Sequence, residues 1–135
     1  MKQFIFCFFI GFTLLSCSND DDQTAVTNSS IIGNWSWIQS SGGIGGWTHT
    51  PESTGTIQQL QISATTIKRY INNELVSETN YTIETGESII LSGEHELLIE
   101  DNEFRNIIQF HDGNLFLTGD CNDCFISEYA KIYVY

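Results

Sequence analysis

Short runs rich in isoleucine, valine, threonine, tyrosine and phenylalanine recur about every ten residues, with turn-forming residues between them. This spacing predicts strands over Trp35–Ser40, Thr56–Ile62, Thr66–Ile71, Leu75–Ile83, Ser88–Leu91, Glu94–Glu100, Phe104–His111, Leu115–Thr118 and Phe125–Tyr133. The breaks are short. Asn72-Asn73 reads as a two-residue hairpin, because asparagine tolerates positive φ. Thr85-Gly86, Ser92-Gly93, Asp101-Asn102 and Asp112-Gly113-Asn114 have similar turn chemistry. No window sustains a 3.6-residue apolar period, so little helix is expected.

Within the runs, apolar and polar residues alternate. Leu60 and Ile62 oppose Gln59 and Gln61. Phe104, Ile108 and Phe110 oppose Arg105 and Gln109, and Ile126, Ala130, Ile132 and Val134 oppose Ser127, Tyr129, Lys131 and Tyr133. One face in and one face out, over hairpin-linked strands, suits an all-β antiparallel barrel of about eight strands. Closure removes the edges that would otherwise aggregate. A two-sheet sandwich shares the pattern; short local connections favour the up-and-down barrel.

The N-terminal segment obeys different rules. Met1-Lys2-Gln3 precedes an apolar stretch from Phe4 to Leu15, too short for a helix across a bilayer, which needs about 20 residues. Leu14-Leu15-Ser16-Cys17 then matches a lipobox: aliphatic residues, a small residue, and a cysteine whose thiol accepts diacylglycerol. Residues 1–16 therefore read as a lipoprotein signal peptide, Cys17 as the lipidated residue, and 17–30 as a polar, flexible tether. The folded domain is expected over 31–135. Asp20-Asp21-Asp22 resembles the acidic signal that carries some lipoproteins to the cell surface. Localisation is expected at the outer membrane on the surface, the alternative being its periplasmic face.

From Cys17 onward, four basic residues stand against seventeen acidic ones, a formal balance of −13. Such a chain is repelled by phosphate backbones, which argues against nucleic acid as a partner. The lipid anchor is then the expected membrane attachment. Of the remaining cysteines, Cys7 leaves with the signal. Cys121 and Cys124 form the pair Cys121-Asn122-Asp123-Cys124. In an exported protein, such a pair reads first as a disulfide. The acidic, β-rich surroundings disfavour a redox pair, and a zinc site lacks two further ligands.

Ile31-Ile32-Gly33-Asn34-Trp35 resembles the Gly-x-Trp of the first lipocalin strand. The ordered set that follows is similar to the lipocalin-like domains of bacterial surface lipoproteins. It comprises a glycine-rich loop reaching Thr50-Pro51-Glu52, Tyr70-Ile71-Asn72-Asn73, Asp112-Gly113-Asn114, and the late cysteine pair. The resemblance implies that Trp35, beside Gly33, packs across the closed barrel end with a late basic residue over it. Lys131 could fill that place, where the family more often has arginine; the implied roles are structural.

Candidate binding residues are Trp37 and Trp47. Trp47 lies in the long segment 41–55, with glycines at 42, 43, 45 and 46, at the open mouth of a lipocalin-type barrel. There it would gate a pocket or stack on a sugar; the bland and favoured alternative is that it folds back and plugs a narrow barrel. Those glycines lack the Lys-Ser or Lys-Thr of a phosphate loop. Glu94 and Glu96 share a strand face opposite His95, most simply a solvated face. His49 and His111 have no readable partner. No Ser-His-Asp order, nucleophile elbow or paired-carboxylate motif stands out, so no catalytic residue, enzyme activity, metal or cofactor is expected. The expected function is a membrane-anchored, monomeric binding module for a small hydrophobic molecule or sugar. The alternatives are a filled barrel acting on protein partners, without an internal ligand, and a hydrolase built on the same barrel.

Overall fold

The computed structural model describes residues 28–133; the expected signal, lipidated Cys17 and most of the tether lie outside the described residues. A four-residue helix α1 (Asn28–Ile31) leads into β1 (Gly33–Gly42). The strands that follow are β2 (Trp47–His49), β3 (Gln58–Ile62), β4 (Thr66–Ile71), β5 (Glu74–Glu87), β6 (Glu94–Glu100), β7 (Arg105–His111), β8 (Asn114–Gly119) and β9 (Phe125–Ile132). Helix α2 (Pro51–Thr54) lies between β2 and β3, held by a reciprocal cap between Thr50 and Ser53.

Each strand from β3 to β9 pairs antiparallel with the next, and β1 pairs with both β3 and β9. The result is a closed up-and-down barrel of eight strands. The ninth strand, β2, adds only to the far end of β1, with Gly42 opposite Trp47. The Asn72-Asn73 hairpin forms with φ of 50° and 67°, the pair of positive values a two-residue turn of this type requires.

Two expectations are corrected. Ser88–Leu91 is not a strand: the Ser88 Oγ accepts from the amides of Ile90 and Leu91, and Asp120 accepts from the Ser88 hydroxyl and the Ile89 amide. Side chains take the bonds a ladder would have used. Thr85-Gly86 is not a turn but part of β5, paired with Glu96 and His95. A Cβ at Gly86 would make only ordinary contact with the Leu97 side chain, so the strand there does not depend on the glycine.

One end of the barrel is filled. Ile31, Trp35, Ile62, Ile67, Leu98, Ile108 and Leu115 are buried in one cluster. The Trp35 indole N–H donates to the Ile31 carbonyl at 2.8 Å, so α1 closes this end by a hydrogen bond as well as by packing. Phe110 tilts against the same indole, with ring centroids 6.0 Å apart. The Lys131 ammonium stands 5.2 Å from the ring centroid, a cation–π distance.

In β9 it is the face of Ser127, Tyr129 and Lys131 that turns inward, while Ile126 remains 47% exposed. Register explains it. Trp35 pairs with Lys131 and Trp37 with Tyr129, so the inward side of β1 fixes that of β9.

Candidate functional site

Toward the other end, the inward rows change character. On β4 the sequence Ile67, Arg69, Ile71 places a guanidinium between two isoleucines, and on β6 the row Leu98, Glu100 ends in a carboxylate. The two meet. Arg69 Nη2 lies 2.5 Å from Glu100 Oε1, with the Arg69 side chain 31% exposed and the Glu100 side chain 3% exposed. Thr79 on β5 bridges them, accepting from Arg69 Nη1 at 3.3 Å and donating to Glu100 Oε2 at 2.9 Å. Both charges are therefore met by protein groups, as a buried pair requires.

Beside this pair is a cavity of about 310 Å³. Its wall includes Leu60, Arg69, Asn106, Leu117, Ser127 and Tyr129, and its rim Phe104, Asp123, Cys124 and Phe125. The volume is at the lower end of the range for small-molecule sites. Burial pushes the Tyr129 phenol up, against the opposing pull of the Ser127 hydroxyl and the Arg69 charge. The phenol is thus a neutral donor and acceptor at ordinary pH.

Asn106 is the most informative group. It is 7% exposed and lines the cavity, and its carboxamide makes no hydrogen bond among the described residues. The residue is buried, yet its amide atoms are not sealed from solvent, so they are free to bond whatever enters the cavity. Here both a donor and an acceptor are held toward a space large enough for a ligand.

The rim is built by the cysteine pair. Cys121 and Cys124 form a disulfide, with Cα atoms 5.4 Å apart, immediately before β9. Gly119 closes β8 against it: a Cβ there would stand 2.7 Å from the Cys124 Cβ, closer than side chains approach. Next to it, Phe125 pairs with Gly42. The His49 ring is 5.8 Å from Phe125 and 6.4 Å from Trp47, so an aromatic row leads outward from the rim along β2.

Neither tryptophan singled out from the sequence is in the cavity wall, but each is one residue removed from it. Trp37 is buried, and its indole N–H donates to Ser40 Oγ, which bonds Ser127 Oγ of the wall at 2.7 Å. A bulge between Trp37 and Gln39 in the β1–β9 ladder brings Trp37 and Ser40 to the same side. Trp47 is 64% exposed, so it does not plug the barrel. Its backbone lies opposite Gly42, and its ring is at the outer end of the aromatic row. Gly33 and Trp35 lie at the filled end with Lys131, whose Cε would be 3.3 Å from a Gly33 Cβ.

Arg69, Glu100 and Asn106 were missed from the sequence, although a signal exists. Each is a polar residue on the inward face of a strand whose i ± 2 neighbours are largely apolar. Leading into and along β7 the row is Phe104, Asn106, Ile108, Phe110, with one amide among three apolar side chains.

A second concavity, of about 300 Å³, lies on the outer wall among Asn34, Gln59, Gln61, Tyr70, Asn73 and Ile132. Its polar groups are on the solvent side of the strands, and the Tyr70 hydroxyl is donated to Gln61 Oε1 at 3.4 Å. The interior cavity is the stronger candidate because it lies among inward-facing side chains and one of them, Asn106, is buried without a protein partner among the described residues.

Compared with known proteins, the chain matches no protein-family model, no curated protein and no solved structure.

Proposed function

We propose that the domain is a binding module, holding one small molecule in the unfilled half of a lipocalin-like barrel. It is carried at the outer membrane, on the cell-surface side, by a lipid on Cys17. The observation that carries this reading is the Asn106 carboxamide, buried in the cavity wall without a protein partner. The wall supplies hydrogen bonding from Asn106, Ser127 and Tyr129, and apolar contact from Leu60, Leu117, Phe104 and Phe125. Binding sites are commonly of this kind, mostly apolar with a few placed polar groups. Binding is the reading these groups favour: the Glu100 carboxylate beside the cavity is engaged by Arg69 and Thr79, and Asp123 lies at the rim.

Native mass spectrometry of the full chain, extracted from its membrane in mild detergent, tests this. The expected result is an added mass that disappears on denaturation. If no adduct survives exposure of the protein to cell extracts, the barrel is an interaction module for protein partners, with the exposed Trp47 and Ile44 as its first surface to mutate.

A further inference from the structure

We infer that the ligand bears an uncharged hydrogen-bonding head group, a carboxamide or similar, and that carboxylates are rejected despite the arginine in the wall. This rests on the reading of the cavity as a binding site. An arginine beside an apolar pocket ordinarily invites an anion. Arg69 is a weak attractor here, because the Glu100 carboxylate at its Nη2 already balances its charge, while its Nη1 is given to Thr79. An incoming carboxylate would have to share one guanidinium with the buried Glu100 carboxylate, placing two like charges against a single cation. The rim adds a second obstacle, since Asp123 lines the mouth and Asp101 and Glu103 occupy the β6–β7 turn next to Phe104. A cation finds no free carboxylate inside, because Glu100 is already engaged by Arg69 and Thr79.

What is unsatisfied in the wall is the Asn106 amide, which both donates and accepts. A carboxamide on the ligand reciprocates both bonds, whereas a carboxylate only accepts. Tyr129 and Ser127 add neutral groups that bond in either sense. Size is limited by the volume: at ~30 Å³ for each water-sized group, 310 Å³ holds a molecule of roughly ten non-hydrogen atoms. The flanking Phe104 and Phe125 rings favour a flat apolar body.

The test uses three matched, water-soluble probes: 4-fluorobenzamide, 4-fluorobenzoate and 4-fluorobenzylammonium. Their ¹⁹F signals are titrated against the full chain in phospholipid nanodiscs, with empty nanodiscs subtracted. The expected order is amide first, with the benzoate and the benzylammonium each at least tenfold weaker. Asn106→Ala should weaken the amide about tenfold and leave the other two unchanged. Benzoate binding as tightly as the amide would overturn the charge selection while leaving the cavity a binding site. Binding of none of the three above empty nanodiscs would overturn the cavity reading and this inference with it. The order among probes on the unmodified chain decides the matter even if the variant fails to fold. In a folded Asn106→Ala protein, undiminished amide binding would overturn the assignment to Asn106.

Discussion

The same strands build both halves of this barrel, yet the halves are finished differently. At the closed end the buried side chains form an apolar cluster, with the Trp35 indole N–H bonded to the Ile31 carbonyl and the Lys131 ammonium over the indole ring. At the open end the inward positions of β4, β6, β7 and β9 carry Arg69, Glu100, Asn106, Ser127 and Tyr129, and a cavity remains among them. The step along a strand is only two residues: Ile67 to Arg69, Leu98 to Glu100, Ile108 to Asn106. An eight-stranded barrel is narrow enough for side chains to fill. The contrast is that side chains complete the filling at one end and leave a polar-lined cavity at the other.

Substitutions should separate the halves. The largest effect is expected from Trp35→Ala, which empties the closed end and should lower unfolding free energy by ~3–5 kcal/mol in urea denaturation. Probe affinity should be unchanged in whatever fraction folds. Arg69→Ala should follow, at about 3 kcal/mol near neutral pH, because it strands the buried Glu100 carboxylate. Replacing both partners, Arg69→Leu with Glu100→Leu, should restore most of the lost stability. Failure to do so would mean the pair contributes more than mutual neutralisation.

A smaller effect is expected at the rim. Cys121→Ser with Cys124→Ser opens a short loop, and the chain-entropy relation gives ~2 kcal/mol. Because Cys124 lines the cavity, amide binding should weaken too, which calorimetry and the ¹⁹F titration would detect together.

The smallest effect concerns the outer side. Asp120 is held below the usual carboxylate range: burial pushes it up, but bonds from Ser88 and Ile89 and the Arg105 charge outweigh burial. The Arg105 Nη2 approaches Asp120 Oδ2 to 2.9 Å, and it also donates to the Glu87 carbonyl. A lowered folded value means the stabilisation is present above the unfolded pKa of ~3.9 and is lost as pH falls through the folded one. Hydrogen exchange at the Ile89 amide should therefore accelerate in that acid window. In Asp120→Asn it should already be fast at neutral pH, with the open-end cavity unaffected.

Much of this organisation was legible in the sequence. Alternation and turn chemistry predict a closed antiparallel barrel, because strand period and hairpin type are local properties. The resemblance to lipocalins places Trp35 and Lys131 together, as found. The segment Ser88–Leu91 was misread because its β-branched and aliphatic composition suits a strand. The bonds that hold it come from Asp120, some thirty residues away. The open half was hidden for a similar reason. Arg69, Glu100 and Asn106 are adjacent only after four strands have paired, and each looks locally like a lapse in alternation. Trp47 drew notice for its loop, yet its ring is at the outer end of the aromatic row rather than in the wall.

One spectrum can report on both halves at once. With asparagine and tryptophan ¹⁵N-labelled, the Asn106 carboxamide reports the open end and the Trp35 indole N–H the closed end. On titration with 4-fluorobenzamide, saturable shifts of the Asn106 side-chain signals with an unmoved Trp35 indole are predicted. A stationary Asn106 signal, or equal shifts at Trp35, would contradict the division of the barrel into a structural half and a binding half.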